Sequence, residues 1–457
     1  MASDHVTVCH QCYAFATAGP AEFALQGKEC QKKHWKAHKP FCRGGSLSHE
    51  LVSAFAKQTG INAVPQDASM PVQDTGPLGA RGIVITCLPP APGQDIPGGS
   101  TDCALASGLK ERILALPGFP RPVPSPSSPA HRIAHVPGAG LGMFATRCLV
   151  AGELVFAERP IIIMPQGMLP LSFKADKQSV GSAEYKRKVL KDAEDMVGML
   201  ISRSLPDRAR AYLNLGNAGT FEGAGPLMGI LQTNSWAITA EELKEAVPET
   251  LEDDPLVKLA GVCDTLSRIN HSPNSMVTFD LKSFSFVLCV LRDIDAGTPI
   301  TVSYVHNIGI MSAAERQRDL GPYAFKCTCM SCVSPAISDL RRKEIADTPI
   351  KPHKLVGPWL YNAHLPDDYL TQPSLRVLRL VTEEGLEFAD AYMQHLVQLA
   401  SAYVALGDRK NYLWAHERIM QQVDANPRNG YGADKSKFPE NPETHGLWRR
   451  RVKAKAS

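Results

Sequence analysis

Two β-rich blocks, at residues 131–165 and 277–305, stand far apart in this chain. Both consist of short apolar runs broken by Gly or Pro, a pattern typical of strands joined by turns, and the second alternates apolar and polar residues through a hairpin. From about Lys174 to Gly216 the spacing of charges around Leu and Met predicts helices, and helical spacing returns after Ser334. We therefore predict an α+β protein with a β-rich domain over residues 132–320, a helical insert at about 165–235 and a helical C-terminal region over residues 335–457.

The composition narrows the class of protein. At 457 residues the chain is long enough for two to four domains. Its net charge of +3 calls for no nucleic-acid partner, and the basic run WRRRVKAK at residues 448–455 is interpreted as a solvated terminus. The sequence has no secretory signal pattern and no apolar run near the roughly 18 residues of a membrane span. We expect an intracellular protein, in the nucleus or the cytoplasm, with no membrane partner.

Two other regions have a distinctive composition. Residues 44–131 are rich in Pro, Gly, Ser and Ala, as in LPPAPGQDIPGGS and PGFPRPVPSPSSPAH. Such sequence buries little apolar surface, so a linker is predicted there, with one short helix at GLKERILAL. Near the C-terminus, HLVQLASAYVALGDRKNYLWAHERIM resembles one tetratricopeptide-type helix pair, and a generic helical hairpin explains the same pattern equally well.

Cysteines cluster at the N-terminus and after the second β-rich block. An intracellular protein keeps its thiols reduced, so clustered cysteines indicate metal ligands. YAFKCTCMSC supplies three thiolates at Cys-x-Cys-x-x-Cys spacing, a strong zinc signal, although zinc takes four ligands. The predicted ligands are Cys9, Cys12, Cys30, His38 and Cys42 in the N-terminal segment, and Cys327, Cys329 and Cys332 after the second block.

Three further segments contain candidate binding residues, and each also has a purely structural explanation. The glycines of GAGLGMFA, residues 138–145, let the backbone approach a ligand or take positive φ, but a simple turn needs the same freedom. SRINHSPN, residues 267–274, brings Asn and His together, as a hydrogen-bonded turn also would. ITVSYV, residues 300–305, contains Tyr304, and a tyrosine at a strand end usually packs.

In this order, the motifs GLG, NHS with PN, the Tyr after ITVS and the Cys-rich tail resemble the SET domain of protein-lysine methyltransferases. KECQKKHWKAHKPFC resembles the second half of a MYND zinc finger. The chain is thus similar to the SET- and MYND-domain methyltransferases over residues 1–43 and 132–334, with 321–334 as the post-SET Cys motif. The resemblance implies a protein-lysine N-methyltransferase that uses S-adenosylmethionine, binds zinc and acts on a histone or a non-histone protein.

The resemblance also implies roles for individual residues. Tyr304 would be the catalytic tyrosine, whose hydroxyl orients the lysine amine and the methyl group. Phe325 would lie against the adenine of the cofactor. The other residues implied to bind S-adenosylmethionine are Gly140, Leu141, Gly142, Asn234, Asn270 and His271. Partner proteins would bind the MYND-type segment and the helical C-terminal region.

The chain departs from that family's pattern at both zinc segments. A MYND finger uses eight ligands, whereas residues 1–43 provide five, so His10 or His34 substitutes, the finger is degenerate, or the gene model is faulty. NHSPN lacks the Cys that completes a post-SET site, which leaves a water, Cys263 or Cys289 as the fourth ligand. Because the shortened loop adjoins the implied cofactor pocket, a catalytically inactive interaction scaffold is the alternative hypothesis.

Overall fold

The computed structural model describes residues 62–63, 82–90, 99–166, 182–219, 223–305, 311–348, 350, 352–426 and 435–456. In this part of the chain, two six-stranded sheets have the orders β1-β2-β3-β7-β9-β8 and β4-β5-β12-β10-β11-β6. The strands are β1 (Asn62–Ala63), β2 (Ile83–Leu88), β3 (Thr101–Ala106), β4 (His131–Val136), β5 (Gly140–Ala145), β6 (Leu154–Glu158), β7 (Ile162–Pro165), β8 (Ser235–Ile238), β9 (Leu259–Val262), β10 (Asn270–Asp280), β11 (Ser285–Val290) and β12 (Pro299–Val302).

The second sheet gathers strands from both β-rich blocks. Strands β10 and β11 form the predicted antiparallel hairpin. One face of β11 packs into the main core and the other packs beside the helix Arg409–Ala425, so the strand is buried almost throughout and does not show the alternating exposure that its sequence suggested. Strand β12 lies between β5 and β10, antiparallel to the first and parallel to the second. This arrangement brings the start of β5, the start of β10 and the end of β12 to one place.

Helices fill the insert and the C-terminal region, as predicted. Helix α2, in the insert, starts at the N-cap Ser182, whose side chain accepts from the Tyr185 amide, and buries Met196, Val197 and Leu200 against the sheets. The helices are α1 (Leu109–Leu114), α2 (Ala183–Arg203), α3 (Pro206–Leu213), α4 (Pro226–Asn234), α5 (Ala240–Leu243), α6 (Ala313–Leu320), α7 (Met330–Val333), α8 (Pro335–Asp347), α9 (Pro352–Tyr361), α10 (Thr371–Glu384), α11 (Asp390–Leu406), α12 (Arg409–Ala425) and α13 (Arg450–Ala456). No helix in the described ranges is long and apolar enough to cross a membrane.

The structure differs from the expected linker in two segments. Strands β2 and β3 lie inside residues 44–131, and most of their side chains are buried in the core that contains residues of both sheets. Their apolar runs, IVITCL and TDCALA, are short and are bracketed by the Pro- and Gly-rich stretches that dominate the local composition. The predicted short helix is present as α1, and residues 116–130 form no regular element.

The basic C-terminal run is not wholly solvated, contrary to the sequence interpretation. The Arg451 side chain is 1% exposed and donates hydrogen bonds to the backbone carbonyls of Trp359, Asn362 and Leu365. Its guanidinium also lies over the Trp359 ring, 4.9 Å from the ring centroid. Three carbonyls at one helix end demand several donors in a fixed geometry, which Arg supplies.

The C-terminal helices have a core of their own and join the sheets through both apolar and polar contacts. Helices α11 and α12 form a helix pair across a turn in which Gly407 has a φ of +73°. A tetratricopeptide-type assignment of that pair stays a prediction. On the side of the sheets, Arg292 pairs with Glu387 at 2.5 Å and Gln422 donates to the Leu291 carbonyl at 3.2 Å.

A buried carboxylate connects the Cys motif to these helices. Glu384, at the end of α10, accepts hydrogen bonds from Ser331 (2.9 Å), Ser338 (2.6 Å) and the Nε of Arg342 (3.0 Å). The side chains of Glu384 and Arg342 are 2% and 3% exposed. A charge buried this deeply is stable only when it is paired and hydrogen-bonded, and Glu384 meets both conditions.

Candidate active site

In the glycine turn at the start of β5, other side chains come close to the backbone at Gly142. Gly140 has a φ of +73°, in the left-handed region, and an added Cβ there would meet nothing within 4 Å. At Gly142, an added Cβ would lie 2.6 Å from a Val136 methyl and 2.8 Å from the amide nitrogen of Asn270. That nitrogen donates to the Leu141 carbonyl at 3.1 Å. Glycine at 142 therefore lets the Asn270 side chain tie the turn to β10.

His271 and Tyr304 contact each other directly. The backbone N–H of Tyr304, two residues beyond β12, donates to Nδ1 of His271 at 3.1 Å, and the two rings lie 5.3 Å apart. Burial, together with the positive charge of Arg316, lowers the pKa of His271 to about 4. The imidazole is therefore neutral at physiological pH, with its proton on Nε2.

The Tyr304 hydroxyl also has a defined partner. It donates to the backbone carbonyl of Ile269 at 2.5 Å. Burial raises the pKa of this hydroxyl above its usual range, and Tyr323 raises it further. The hydroxyl stays protonated, so it can orient other groups by hydrogen bonding but cannot serve as a base near neutral pH.

Phe325 closes an aromatic cluster around these two residues. Its ring centroid lies 6.0 Å from that of His271 and 6.2 Å, edge to face, from that of Tyr304. The centroid of the Tyr323 ring lies 4.8 Å from that of Tyr304. The predicted residues from the β5 turn, β10, the end of β12 and the Cys motif thus converge on one site.

Asn234 is placed differently from the other predicted residues. It ends α4, and its side-chain nitrogen donates to the carbonyls of Gly216 (2.6 Å) and Ile230 (2.7 Å). Its own backbone carbonyl accepts from the Ser267 hydroxyl at 2.9 Å. Both amide protons are used within the protein, and a backbone N–H in the last turn of a helix already donates within the helix, so Asn234 can offer a ligand its side-chain Oδ1.

The Cys motif forms a compact thiol cluster. The Sγ atoms of Cys327, Cys329 and Cys332 all lie within 4.8 Å of one another. Four ligands around zinc at a Zn–S distance of about 2.3 Å would be about 3.8 Å apart, so the three thiols fit one face of a zinc site after a small contraction. A hydrogen bond from the Cys327 thiol lowers the pKa of Cys329 below its usual range, which favours the thiolate that a metal needs.

The two cysteines considered as a fourth ligand, Cys263 and Cys289, do not join this cluster. In the described part of the chain, the group consists of these three thiols alone. Cys263 is fully buried in the core of the sheets, and Cys289 packs with Leu291 and Ala425 beside α12. The five N-terminal metal-ligand candidates lie outside the described residues.

The segment that carries most of these residues matches a known domain family. Residues 140–305 match the SET domain. One curated relative, "Histone-lysine N-methyltransferase set5" of Schizosaccharomyces pombe (strain 972 / ATCC 24843), is 27% identical over 226 residues, which make up 47% of this chain and 56% of that protein. The chain thus spans little more than half the length of that relative.

Solved structures were also compared with the whole chain. "Structure of Rubisco LSMT bound to AdoMet" is 14% identical, with a TM-score of 0.21, and the match covers 72% of this chain and 92% of that one. "Crystal structure of the SET domain of LSMT bound to Lysine and AdoHcy" is 12% identical, with a TM-score of 0.22 and the same two coverages. TM-scores this low do not establish a shared overall fold.

Sequence reasoning missed several residues that build the site around the SET match. Arg316 and Gln317 of α6 contact the Cys motif, and the Ile269 carbonyl holds the Tyr304 hydroxyl. A backbone carbonyl leaves no trace in the residue types. Arg316 and Gln317 lie in the strongly polar helix AAERQRDL, where nothing in the sequence distinguishes them from their polar neighbours.

Proposed function

We propose that this protein is a protein-lysine N-methyltransferase that uses S-adenosylmethionine. The observation that carries the proposal is the convergence of Asn270, His271, Tyr304 and the β5 glycine turn within the SET match. The substrate class is a lysine-containing segment of a histone or a non-histone protein. We also propose that the protein works in the nucleus or the cytoplasm, and that the MYND-type segment and the C-terminal helices bind partner proteins.

The residues present fit the cofactor. The open side of Gly140 and the half-exposed Leu141 leave room at the turn for its methionine end, and Phe325 presents a ring face for its adenine. When bound, S-adenosylmethionine would supply a methyl group on a sulfonium, and a neutral amine would accept it by in-line attack on the methyl carbon as the thioether leaves. Asn270 and the neutral His271 would hold the pocket in shape and bind through side-chain and backbone groups.

Tyr304 would position the target lysine. Its hydroxyl is protonated and fixed by Ile269, so a small rotation would let it orient the amine toward the methyl carbon. Burial of the lysine among Tyr304, Tyr323 and Phe325 disfavours its charged form, which leaves the nucleophilic amine. The thiol cluster would hold one zinc ion that cross-links the segment carrying Phe325, a structural role.

The test starts with cofactor binding by purified full-length protein. Calorimetry should detect S-adenosylmethionine binding, and cofactor at about one hundred times its dissociation constant should stabilise the fold by about 2.7 kcal/mol. Transfer of a labelled methyl group to histones and to a cellular protein pool measures the activity. Well-folded protein that binds no cofactor would refute the proposal. Binding without transfer to any substrate would favour the inactive scaffold.

A further inference from the structure

Gln317 makes two hydrogen bonds to the Cys motif with one side chain. Its Nε2 donates to the Phe325 carbonyl at 3.0 Å, and its Oε1 accepts from the Cys327 backbone N–H at 3.1 Å. The two contacted residues are two positions apart, so the amide brackets the backbone between an aromatic ring of the site and a thiol of the cluster. Only a side chain with both a donor and an acceptor can do this.

The helix that carries Gln317 is firmly held. Helix α6 begins with a capping box between Ser312 and Glu315, and the Ala313 N–H donates to Asp339 of α8 at 2.8 Å. The neighbouring Arg316 is 1% exposed and donates to the carbonyls of Met311 (2.6 Å) and Ser331 (3.0 Å). Gln317 therefore acts from a rigid base, and the Cys motif is the part that would move without it.

The two bracketed residues face different neighbours. The Phe325 ring contacts the rings of His271 and Tyr304. Cys327 is 7% exposed and belongs to the thiol cluster. A shift of one residue against the other would therefore alter either the aromatic wall of the site or the spacing of the three thiols.

We propose that Gln317 is a positioning residue that couples the thiol cluster to the Phe325 wall of the active site. Metal binding at the cluster and ligand binding against Phe325 then stabilise each other, because each favours the same backbone position. The identity of that ligand rests on the function proposed above. Couplings of this kind typically change affinity about 5- to 150-fold, and they act equally in both directions.

The test uses full-length protein with 4-fluorophenylalanine at position 325 and zinc as the metal. Gln317→Met keeps an unbranched side chain of similar length and loses both hydrogen bonds. Gln317→Glu keeps the acceptor for Cys327 and loses the donor to Phe325. Arg318→Met is the control, since Arg318 lies on the same helix with a 71% exposed side chain. Fluorine NMR reports the ring environment, and chelator competition reports the zinc affinity.

In the wild type and in Arg318→Met, removal of zinc should shift or broaden the fluorine resonance. In Gln317→Met the resonance should be displaced with zinc bound, its response to chelation should shrink, and zinc affinity should fall at least about fivefold. Gln317→Glu should displace the resonance with a smaller loss of zinc affinity, which a general loss of folding would not produce.

The proposal is wrong if both Gln317 variants keep the wild-type fluorine spectrum and the wild-type zinc affinity. It is also wrong if the reduced wild-type protein binds no zinc. Neither measurement requires S-adenosylmethionine. Intact coupling in a protein that fails to bind the cofactor would therefore count against the methyltransferase proposal alone.

Discussion

Tyr304→Phe separates a catalytic tyrosine from one that only packs. The substitution keeps the ring and its contacts with Tyr323, His271 and Phe325 but removes the hydroxyl that donates to the Ile269 carbonyl. A buried carbonyl such as that of Ile269, when it loses its donor, costs about 1–3 kcal/mol of folding stability. Some destabilisation is therefore expected whether or not the hydroxyl takes part in catalysis.

The catalytic effect should be larger and of a different kind. If the hydroxyl orients the amine only in the transition state, its loss lowers turnover and leaves the cofactor dissociation constant nearly unchanged. One oriented hydrogen bond at a reacting centre is worth about 3 kcal/mol, or about a hundredfold in rate. The assays are single-turnover methyl transfer, calorimetry with S-adenosylmethionine and denaturant unfolding, all at one temperature.

Tyr412→Phe is the matched control for stability. Its hydroxyl donates to the Pro439 carbonyl at 2.8 Å, within the C-terminal helical region. It should lose a similar amount of stability and keep full turnover. The reasoning about Tyr304 fails if Tyr304→Phe transfers methyl groups as fast as the wild type, or if its main effect is on cofactor affinity.

Three further predictions follow from buried contacts, each checked by denaturant unfolding. Glu384→Gln should lower the free energy of unfolding by about 3–5 kcal/mol, because it removes the buried anion that pairs with Arg342. Glu344→Gln breaks an exposed pair and should lower it by under about 1 kcal/mol. Equal losses would contradict the burial argument. Gly142→Ala should lower the free energy of unfolding by about 1–3 kcal/mol and weaken cofactor binding, since the new Cβ overlaps the Asn270 side chain, which ties the turn to β10. Gly321→Ala is the control and should be neutral, because the space around Gly321 is open. Burial lowers the pKa of His395 to about 4, whereas in the unfolded chain the imidazole takes up a proton near pH 6.5. The free energy of unfolding should therefore fall by about 2 kcal/mol between pH 7 and pH 5. His395→Asn should remove that part of the acid sensitivity.

The order of motifs along the chain predicted much of the candidate site. Asn270, His271, Tyr304, Phe325 and the glycine turn meet where the sequence analysis expected a ligand. Motif residues are readable because their chemistry requires particular side chains. The roles assigned to them remain predictions, to be tested as described above.

Other features could not be predicted, for two physical reasons. Strands β2 and β3 are only six residues each, and the surrounding Pro and Gly hid their apolar runs. The links made by Gln317 and Arg451 depend on backbone carbonyls supplied by distant parts of the chain, and nothing in the residue types marks those carbonyls. Tertiary contact, and not local pattern, decides both cases.

The part of the chain that matches the family is smaller than the part that folds as one unit, because strands β2 and β3 lie before the match and belong to one of its sheets. The family match begins at residue 140, yet β3 pairs with β7 through Asp102 and Ile162, and β4 pairs with β5 along its whole length. A fragment trimmed to the match would leave the edges of β5 and β7 open. Open edges recruit strands from other molecules, so such a fragment should precipitate on expression, and a soluble fragment for crystallisation has to begin before residue 82.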